Sequence, residues 1–310
     1  MKVPTAIVQD AEPGAAPAPV QGPWRRFAEE FAESRLAMAG LVLLAAIVLV
    51  AVAAPIVSPQ NPYDLAQLDV LDSKLAPGEH SSSTGKTYWL GTDDQGRDML
   101  SAILYGLRIS LTVGASSTVI ALALGLTLGL TAAYFGGWVD TLVMRIADIQ
   151  LSFPAILIAL ILLALMGQGA GKIVAALVTV QWAYYARTVR SAALVERQKE
   201  YIEAARGLAL SRARIVFRHL LPNCLPPLIL VATVQVAHAI SLEATLSFLG
   251  LGLPITEPSL GLLIANGFQY LLSGTYWISF YPGLALLATI VSINLVADQL
   301  RDVLNPRLRR

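Results

Sequence analysis

A single cysteine, Cys224, in 310 residues excludes an intrachain disulfide and any cysteine-based metal site. Histidine is almost as scarce, and His80, His219 and His238 stand too far apart to read as a ligand set. Charge is thin: 14% of residues are Asp, Glu, Lys or Arg, against about 25% in an average soluble chain. A phosphate-binding loop is missing as well. Such a loop needs a glycine five residues before its Gly-Lys pair, so that backbone N–H groups can wrap the phosphates. Gly85-Lys86-Thr87 has His80 at that place, and Gly171-Lys172 is followed by Ile173. No nucleotide site, and hence no bound ATP or Mg, is expected in this chain. An enzyme would need a nucleophile-base pair or a metal cluster, and neither is visible. A net charge of +1 gives no reason to expect a nucleic-acid partner.

What the chain has instead is apolar length. Hydrophobic residues make up 55% of it, and the mean hydropathy of +0.62 marks an integral membrane protein. Crossing about 30 Å of hydrocarbon takes about 20 apolar residues in a helix. Six runs qualify, predicting an all-α polytopic fold: Leu36 to Val57, a stretch within Ile109 to Trp138, Ile149 to Met166, Ile173 to Arg190, Leu225 to Phe248, and Tyr276 to Val296. Arg187 and Arg190 enter the last turn of the fourth and must reach the interface by snorkelling. Ser259 to Leu272, with Asn266 and Gln269, reads as a short helix dipping into the membrane surface.

Lys and Arg set the orientation. With both termini inside, 17 of the 22 fall on the cytoplasmic side, leaving Lys74, Lys86, Arg97, Arg108 and Lys172 outside. The chain then divides into an N-tail (1–35), a first span (36–57), a periplasmic segment (58–108), a core of five further spans (109–298) with a cytoplasmic loop at about 190–224, and a cytoplasmic tail (299–310).

Residues 1–22 are Ala- and Pro-rich without periodicity, which predicts disorder. Trp24, Phe27 and Phe31 suggest a short helix on the membrane face. Arg25-Arg26 before an apolar run, with Ala51-Val52-Ala53 further on, imitates a signal peptide, but the 22-residue run exceeds the 7 to 15 of a signal core.

In the periplasmic segment, Thr92 or Asp93 is placed to cap a helix running into the second span. Asp93, Asp94 and Asp98 invite a cation site. Arg97 among them and the wrong spacing for a calcium loop favour a solvated, hydrogen-bonded turn.

The informative stretch is the polar insert between the fourth and fifth spans, because lipid contributes nothing to holding it. Val189 to Ala209 reads as a helix continuing out of the membrane, with Ala204, Ala205 and Gly207 small enough for close approach by another surface. Ser211 can cap a second helix, in which Ile215, Phe217, Leu220 and Leu221 supply apolar contacts while Arg212, Arg214 and Arg218 stay wet. Pro222, Pro226 and Pro227 should break or bend the chain as it re-enters the membrane. Read as residues alone, the insert is either a docking surface or a basic loop that only sets topology.

Glu203-Ala204-Ala205 with Ile215 and His219-Leu220-Leu221-Pro222-Asn223 resembles the EAA loop of ATP-binding cassette importer permeases. Leu90-Gly91-Thr92-Asp93-Asp94-Gln95-Gly96-Arg97-Asp98, Gly106 to Leu111, Tyr134 to Trp138, Phe153-Pro154, Glu243 to Gly250 and Asp298 to Pro306 extend the likeness to residues 36–306, specifically to the second permease subunit of dipeptide, oligopeptide and nickel importers. The resemblance implies a type I importer permease fold in a bacterial inner membrane. It implies two cytoplasmic ATPase subunits that bind ATP and Mg, a second homologous permease and an extracytoplasmic binding protein. The implied coupling residues are Glu203, Ala204, Ala205, Arg206, Gly207, Ala209, Ser211, Ile215, His219, Pro222 and Asn223. Short peptides are the implied cargo, with nickel chelates, glutathione or opines as alternatives. The loop departs from the family in one place: Ala209 stands where a glycine is usual, so an alanine must take a left-handed conformation or the turn must move to Gly207. The tail has Ala297 and Asn305 where Gly and Asp are common, and Leu260 replaces an expected Trp. A secondary transporter or channel is the reading from another class, and it would need ionisable groups at mid-membrane. Inside the spans essentially only His238 and Glu243 occur, near the outer end of the fifth, five residues apart and on different helix faces.

Overall fold

The computed structural model describes residues 22–257 and 259–304. The expectations for residues 1–21 and 305–310 fall outside the described residues. Helix α1 (Pro23–Ala32) carries Arg25–Glu29 and Arg26–Glu30 pairs at 2.9 and 2.7 Å, and Phe27 and Phe31 stack on it at 6.5 Å. Ser34, accepting from the Ala37 N–H at 3.2 Å, caps the next helix, α2 (Arg35–Val57).

Helix α3 (Met99–Phe135) has 37 residues, about 55 Å at 1.5 Å per residue, and so extends well beyond the hydrocarbon. Its cap is neither Thr92 nor Asp93 but Asp98, whose Oδ2 accepts from the Ser101 N–H at 3.0 Å. Thr92 and Asp93 are occupied in the preceding turn. The Thr92 hydroxyl accepts from the Leu75 N–H at 2.8 Å, and its carbonyl accepts from the Trp277 indole at 3.1 Å.

This turn corrects the expectation of a solvated loop. Asp93 and Arg97 are fully buried and paired at 2.6 Å. The Asp93 Oδ1 accepts the N–H groups of Gln95 and Arg97 at 2.8 and 2.9 Å, and the Arg97 Nη1 donates to the Ile255 carbonyl at 3.0 Å. Gly96, at φ +76°, has no room for a side chain: a Cβ there would lie 2.1 Å from the Asp69 carbonyl oxygen. Asp98 is thus consumed by capping and Asp93 by pairing with Arg97.

The third expected span, Ile149 to Met166, is not a straight helix. Helices α4 (Gly137–Leu151) and α5 (Ala155–Met166) meet at 91°. Pro154 lies in the break; it lacks an N–H and disfavours helical backbone at Phe153. Helix α6 (Ala170–Glu196) lies against α3, and the approach is set by small residues: a Cβ on Gly125 or Gly129 would lie 2.5 Å from the carbonyl oxygens of Trp182 or Ala186. Arg187 and Arg190 each find a carboxylate on α4. Arg190 forks onto both oxygens of Asp140 at 2.5 and 2.6 Å, and Arg187 pairs with Asp148.

Helix α9 (Leu221–Phe248), the short α10 (Leu260–Phe268) and α11 (Trp277–Leu304) complete the bundle. At nine residues, about 13 Å, α10 cannot span. It wedges between its neighbours, where a Cβ on Gly261 would sit 2.3 Å from the Ala244 carbonyl oxygen. Helix α11 runs to Leu304, so the start of the expected tail is helical. Gln299 of α11 donates to the Glu30 carbonyl at 3.0 Å, attaching α1 to the bundle.

All regular structure among the described residues is helical apart from two isolated bridges. Four helices are long and apolar enough to cross a bilayer: α2, α3, the run from Arg212 to Phe248, and α11. The bent α4–α5 pair makes up to five. Counting six adds α6, which at 27 residues is long enough but carries Lys172, Gln181, Arg187 and Arg190. Within the bundle, Glu243 is buried and accepts from the hydroxyls of Ser110 and Ser247 at 2.9 and 2.8 Å, which ties α9 to α3. His238 is exposed, on another face.

Candidate functional site

The insert does not continue α6 as one helix. The chain breaks after Glu196, Lys199 is extended (φ −79°, ψ 147°), and a separate helix α7 (Glu200–Gly207) begins. Two contacts hold that break: Lys199 Nζ lies 2.6 Å from Glu196 Oε1, and the Tyr201 hydroxyl donates to Glu196 Oε2 at 2.6 Å. Loss of water around that hydroxyl, together with the Glu196 carboxylate, pushes the phenol up to about 12, so at neutral pH it remains a donor. Asn223 donates to the same hydroxyl at 3.1 Å and to the His219 carbonyl at 2.7 Å. Asn223 therefore acts as a strut from the start of α9 to the start of α7.

The end of α7 is a Schellman turn. The Leu210 N–H bonds the Ala205 carbonyl at 3.2 Å, and the Ala209 N–H bonds the Arg206 carbonyl at 2.9 Å. Ala209 occupies the left-handed position at φ +54°, while Gly207 stays inside the helix. Of the two possibilities open in the sequence, the turn has kept its place and the alanine carries the strain. Because Ala209 is exposed and packs little, Ala209→Gly should raise the stability of the full chain by about 1 kcal/mol. A thermal melt in detergent reads this, and a lower midpoint than wild type would contradict it.

One face of α7 is consumed internally. Ile202, Ala205 and Ile215 form a small buried cluster with Leu210 against it. This separates two residues that the sequence pairs: Ala205 is 4% exposed and inside, whereas Ala204 faces out. The outward surface comprises Glu203, Ala204, Gly207 and Leu208, with Leu208 75% exposed. Leu208 escaped the sequence reading; the signal was an apolar residue just beyond a short polar helix.

Ser211 caps α8 (Arg212–Arg214) by accepting from the Arg214 N–H at 3.4 Å. The chain then passes through a π-helical turn, Ile215–Leu220, straight into α9. Wider i→i+5 bonding absorbs the approach to Pro222, so the expected break on re-entry does not occur; Pro226 and Pro227 lie inside a continuous helix. Leu220 is buried with Cys224, Leu130 and Val189, which fixes the turn to α3 and α6. Phe217, expected to pack, is 66% exposed. Arg206, Arg212, Arg214, Arg218, Pro222 and Asn223 are exposed, and His219 is half-buried.

The arrangement can receive a concave surface and transmit force. A short helix is held at both ends, one of its faces is open, and its rear is bolted through Ile215 to a helix that enters the bundle. It contains no hydrolytic pair, and among the described residues no group of metal-ligating side chains occurs.

The profile of the "Binding-protein-dependent transport system inner membrane component" family matches residues 125–310. That of the "N-terminal TM domain of oligopeptide transport permease C" matches residues 22–77. The chain is 35% identical over 287 residues to the "Dipeptide transport system permease protein DppC" of Alkalihalophilus pseudofirmus, covering 93% of this chain and 91% of that one. It is 40% identical over 270 residues to a "Putative peptide transport system permease protein" of Brucella suis, covering 87% of each. Among solved structures it resembles a chain of the MetNI methionine ABC transporter in an inward-facing conformation, with a TM-score of 0.54, 22% identity, and coverage of 66% of this chain and 97% of that one. At that identity the likeness concerns the fold alone.

Proposed function

This chain belongs to the binding-protein-dependent transport system inner membrane components, the non-catalytic permease subunits of ATP-binding cassette importers, and from that premise we propose that its cargo is di- or oligopeptides and that α7 is its coupling helix. The peptide assignment is supported by two relatives matched over most of the chain, both named for peptide transport. Permeases of this family work with ATPases and a binding protein. We place here two cytoplasmic ATPase subunits that hold ATP and Mg, one extracytoplasmic binding protein, and a second homologous permease that completes the pathway. The setting is a bacterial inner membrane, with both termini and α7 on the cytoplasmic side.

The observation that carries the coupling role is the divided surface of α7. Its inner face is spent on Ile215 and Leu210, and its outer face leaves Glu203, Ala204, Gly207 and Leu208 exposed among the described residues. An exposed leucine beside an alanine and a glycine suits a groove on a partner, and Glu203 suits a basic residue there. Rocking of the ATPases would then move α9 through the π-helical turn and switch the pathway between inward- and outward-facing states.

Reconstitution tests the reading. Uptake of a labelled dipeptide into proteoliposomes should need the ATPases, the second permease and the binding protein, and the purified chain alone should neither bind nor hydrolyse ATP. Stoichiometric nucleotide binding by the isolated chain would overturn it. Topology is tested by single cysteines in a Cys224→Ala background, labelled in intact cells with an impermeant thiol reagent. Position 84 should react and position 206 should not; the reverse pattern would invert the orientation.

A further inference from the structure

Three arginines converge beneath an apolar groove at the end of the bundle where α3 stops. Arg197, Arg206 and Arg212, with Tyr134 and Phe135, surround a cavity of ≈ 260 Å³. Arg197 is partly engaged, since its Nη1 donates to the Ala133 carbonyl at 2.8 Å and closes the C-terminal end of α3. Arg206 and Arg212 meet no carboxylate and form no side-chain hydrogen bond among the described residues. Three like charges around so small a space repel one another unless an anion sits between them.

Directly against this cavity, sharing Tyr134, Phe135 and Arg212 with it, lies a second of ≈ 350 Å³ whose other walls include Leu126, Leu130, Val216, Phe217 and Leu221. Its walls belong to α3, α8, the π-helical turn and the first residue of α9, so it climbs from the basic mouth along α3 and the run that leads into α9. Phe135, which lines both cavities, and Trp138, three residues on, are 63% and 76% exposed. Aromatics so placed mark the headgroup region of a bilayer. A basic mouth at headgroup level below an apolar slot at acyl level has the layout of an amphiphile with a negative head.

We propose that this composite pocket is a site for an anionic phospholipid of the adjacent leaflet, with the phosphate between Arg206 and Arg212 and an acyl chain in the groove between α3 and the π-helical turn. The occupant is not the ATPase proposed above. At 100° per residue, Arg206 lies about 200° around α7 from Ala204, on the flank turned to α3. A free phosphate would satisfy the arginines but leave the apolar groove unused. Because the lipid would bridge α3 and α7 beside the coupling surface, its loss should loosen the transmission element itself.

The test uses the full chain purified in detergent, with lipid retention followed by native mass spectrometry against added phosphatidylglycerol or phosphatidylcholine. Wild type should retain phosphatidylglycerol in preference. Arg206→Gln together with Arg212→Gln should weaken that retention roughly thirtyfold, from the worth of two basic residues beside an anionic membrane surface, and Arg212→Lys should keep most of it. Val216→Trp, which fills the groove and leaves every arginine in place, should lower retention too. Equal retention of both lipids by wild type, or unchanged retention by the double variant, overturns the proposal. So does displacement of phosphatidylglycerol by excess inorganic phosphate, which would make the site a free-anion pocket. If the double variant keeps its lipid but no longer co-purifies with the ATPases, the arginines belong to the docking surface and the lipid assignment fails.

Discussion

Arg97→Ala should destabilise the chain by about 3–5 kcal/mol, the cost of stranding one member of a buried ion pair. The guanidinium is 1% exposed and sits 2.6 Å from Asp93, itself fully buried. Truncation leaves the Asp93 carboxylate with its two backbone donors but no counter-charge, and it frees the Ile255 carbonyl, the link between the segment before α3 and the loop after α9. Thermal unfolding in detergent measures the loss, and limited proteolysis of residues 58–98 should locate it. The pair Arg97→Met with Asp93→Asn removes the orphan charge yet keeps an Oδ1 acceptor for Gln95 and residue 97, so it should recover much of the deficit. A single-variant cost under about 1 kcal/mol, the scale of a solvated pair, would mean that the turn is open to water after all.

Ala204→Asp should abolish uptake without harming the fold. Ala204 faces outward from α7, where a substitution costs within about 0.5 kcal/mol, so insertion and abundance should stay near wild type. Against a partner surface the same aspartate adds volume and an unpaired, partly buried charge, which costs about 2–5 kcal/mol. At tenfold per 1.4 kcal/mol, the upper half of that range is more than a hundredfold in affinity. Co-purification of the ATPases and dipeptide uptake should therefore fall together. Ala205→Asp is the contrast: Ala205 is packed against Ile202 and Ile215, so that variant should lose stability before it loses docking. An Ala204→Asp chain present at normal levels, holding its ATPases and transporting normally, would remove α7 from the interface and leave the insert with topology as its only role.

The membrane class, the all-helical fold and the position of the insert were legible in the residues because each depends on composition or on local pattern. Scarcity of charge over long runs states the solvent of a helix directly, and motif spacing needs no knowledge of what lies across the bundle. The capacity of Ser211 to cap a helix was legible for the same reason.

Tertiary structure decided what depends on neighbours distant in sequence. Asp93, Arg97 and Asp98 read as solvated because their chain neighbours are polar; they are buried in a turn that is held to Ile255 through Arg97 and to Trp277 through Thr92, each more than 150 residues away. Arg187 and Arg190 have no carboxylate nearby in sequence, so snorkelling was the only visible escape; Asp148 and Asp140, on a helix bent by 91° at Pro154, provided another. Ala204 and Ala205 are equivalent in composition and adjacent in sequence, and only the packing of Ile215 against one side of α7 turned one inward and the other out. Ala209 shows the limit most plainly. Local propensity favoured moving the turn to Gly207, but the Leu210 and Ala205 contacts at the Schellman turn hold it in place, at the cost of a left-handed alanine. Short-range chemistry determined which elements this chain forms and which solvent each faces, because those choices are made residue by residue. The pairing of charges and the division of α7 into a bolted face and an open one depended on long-range packing, since burial belongs to the assembled bundle.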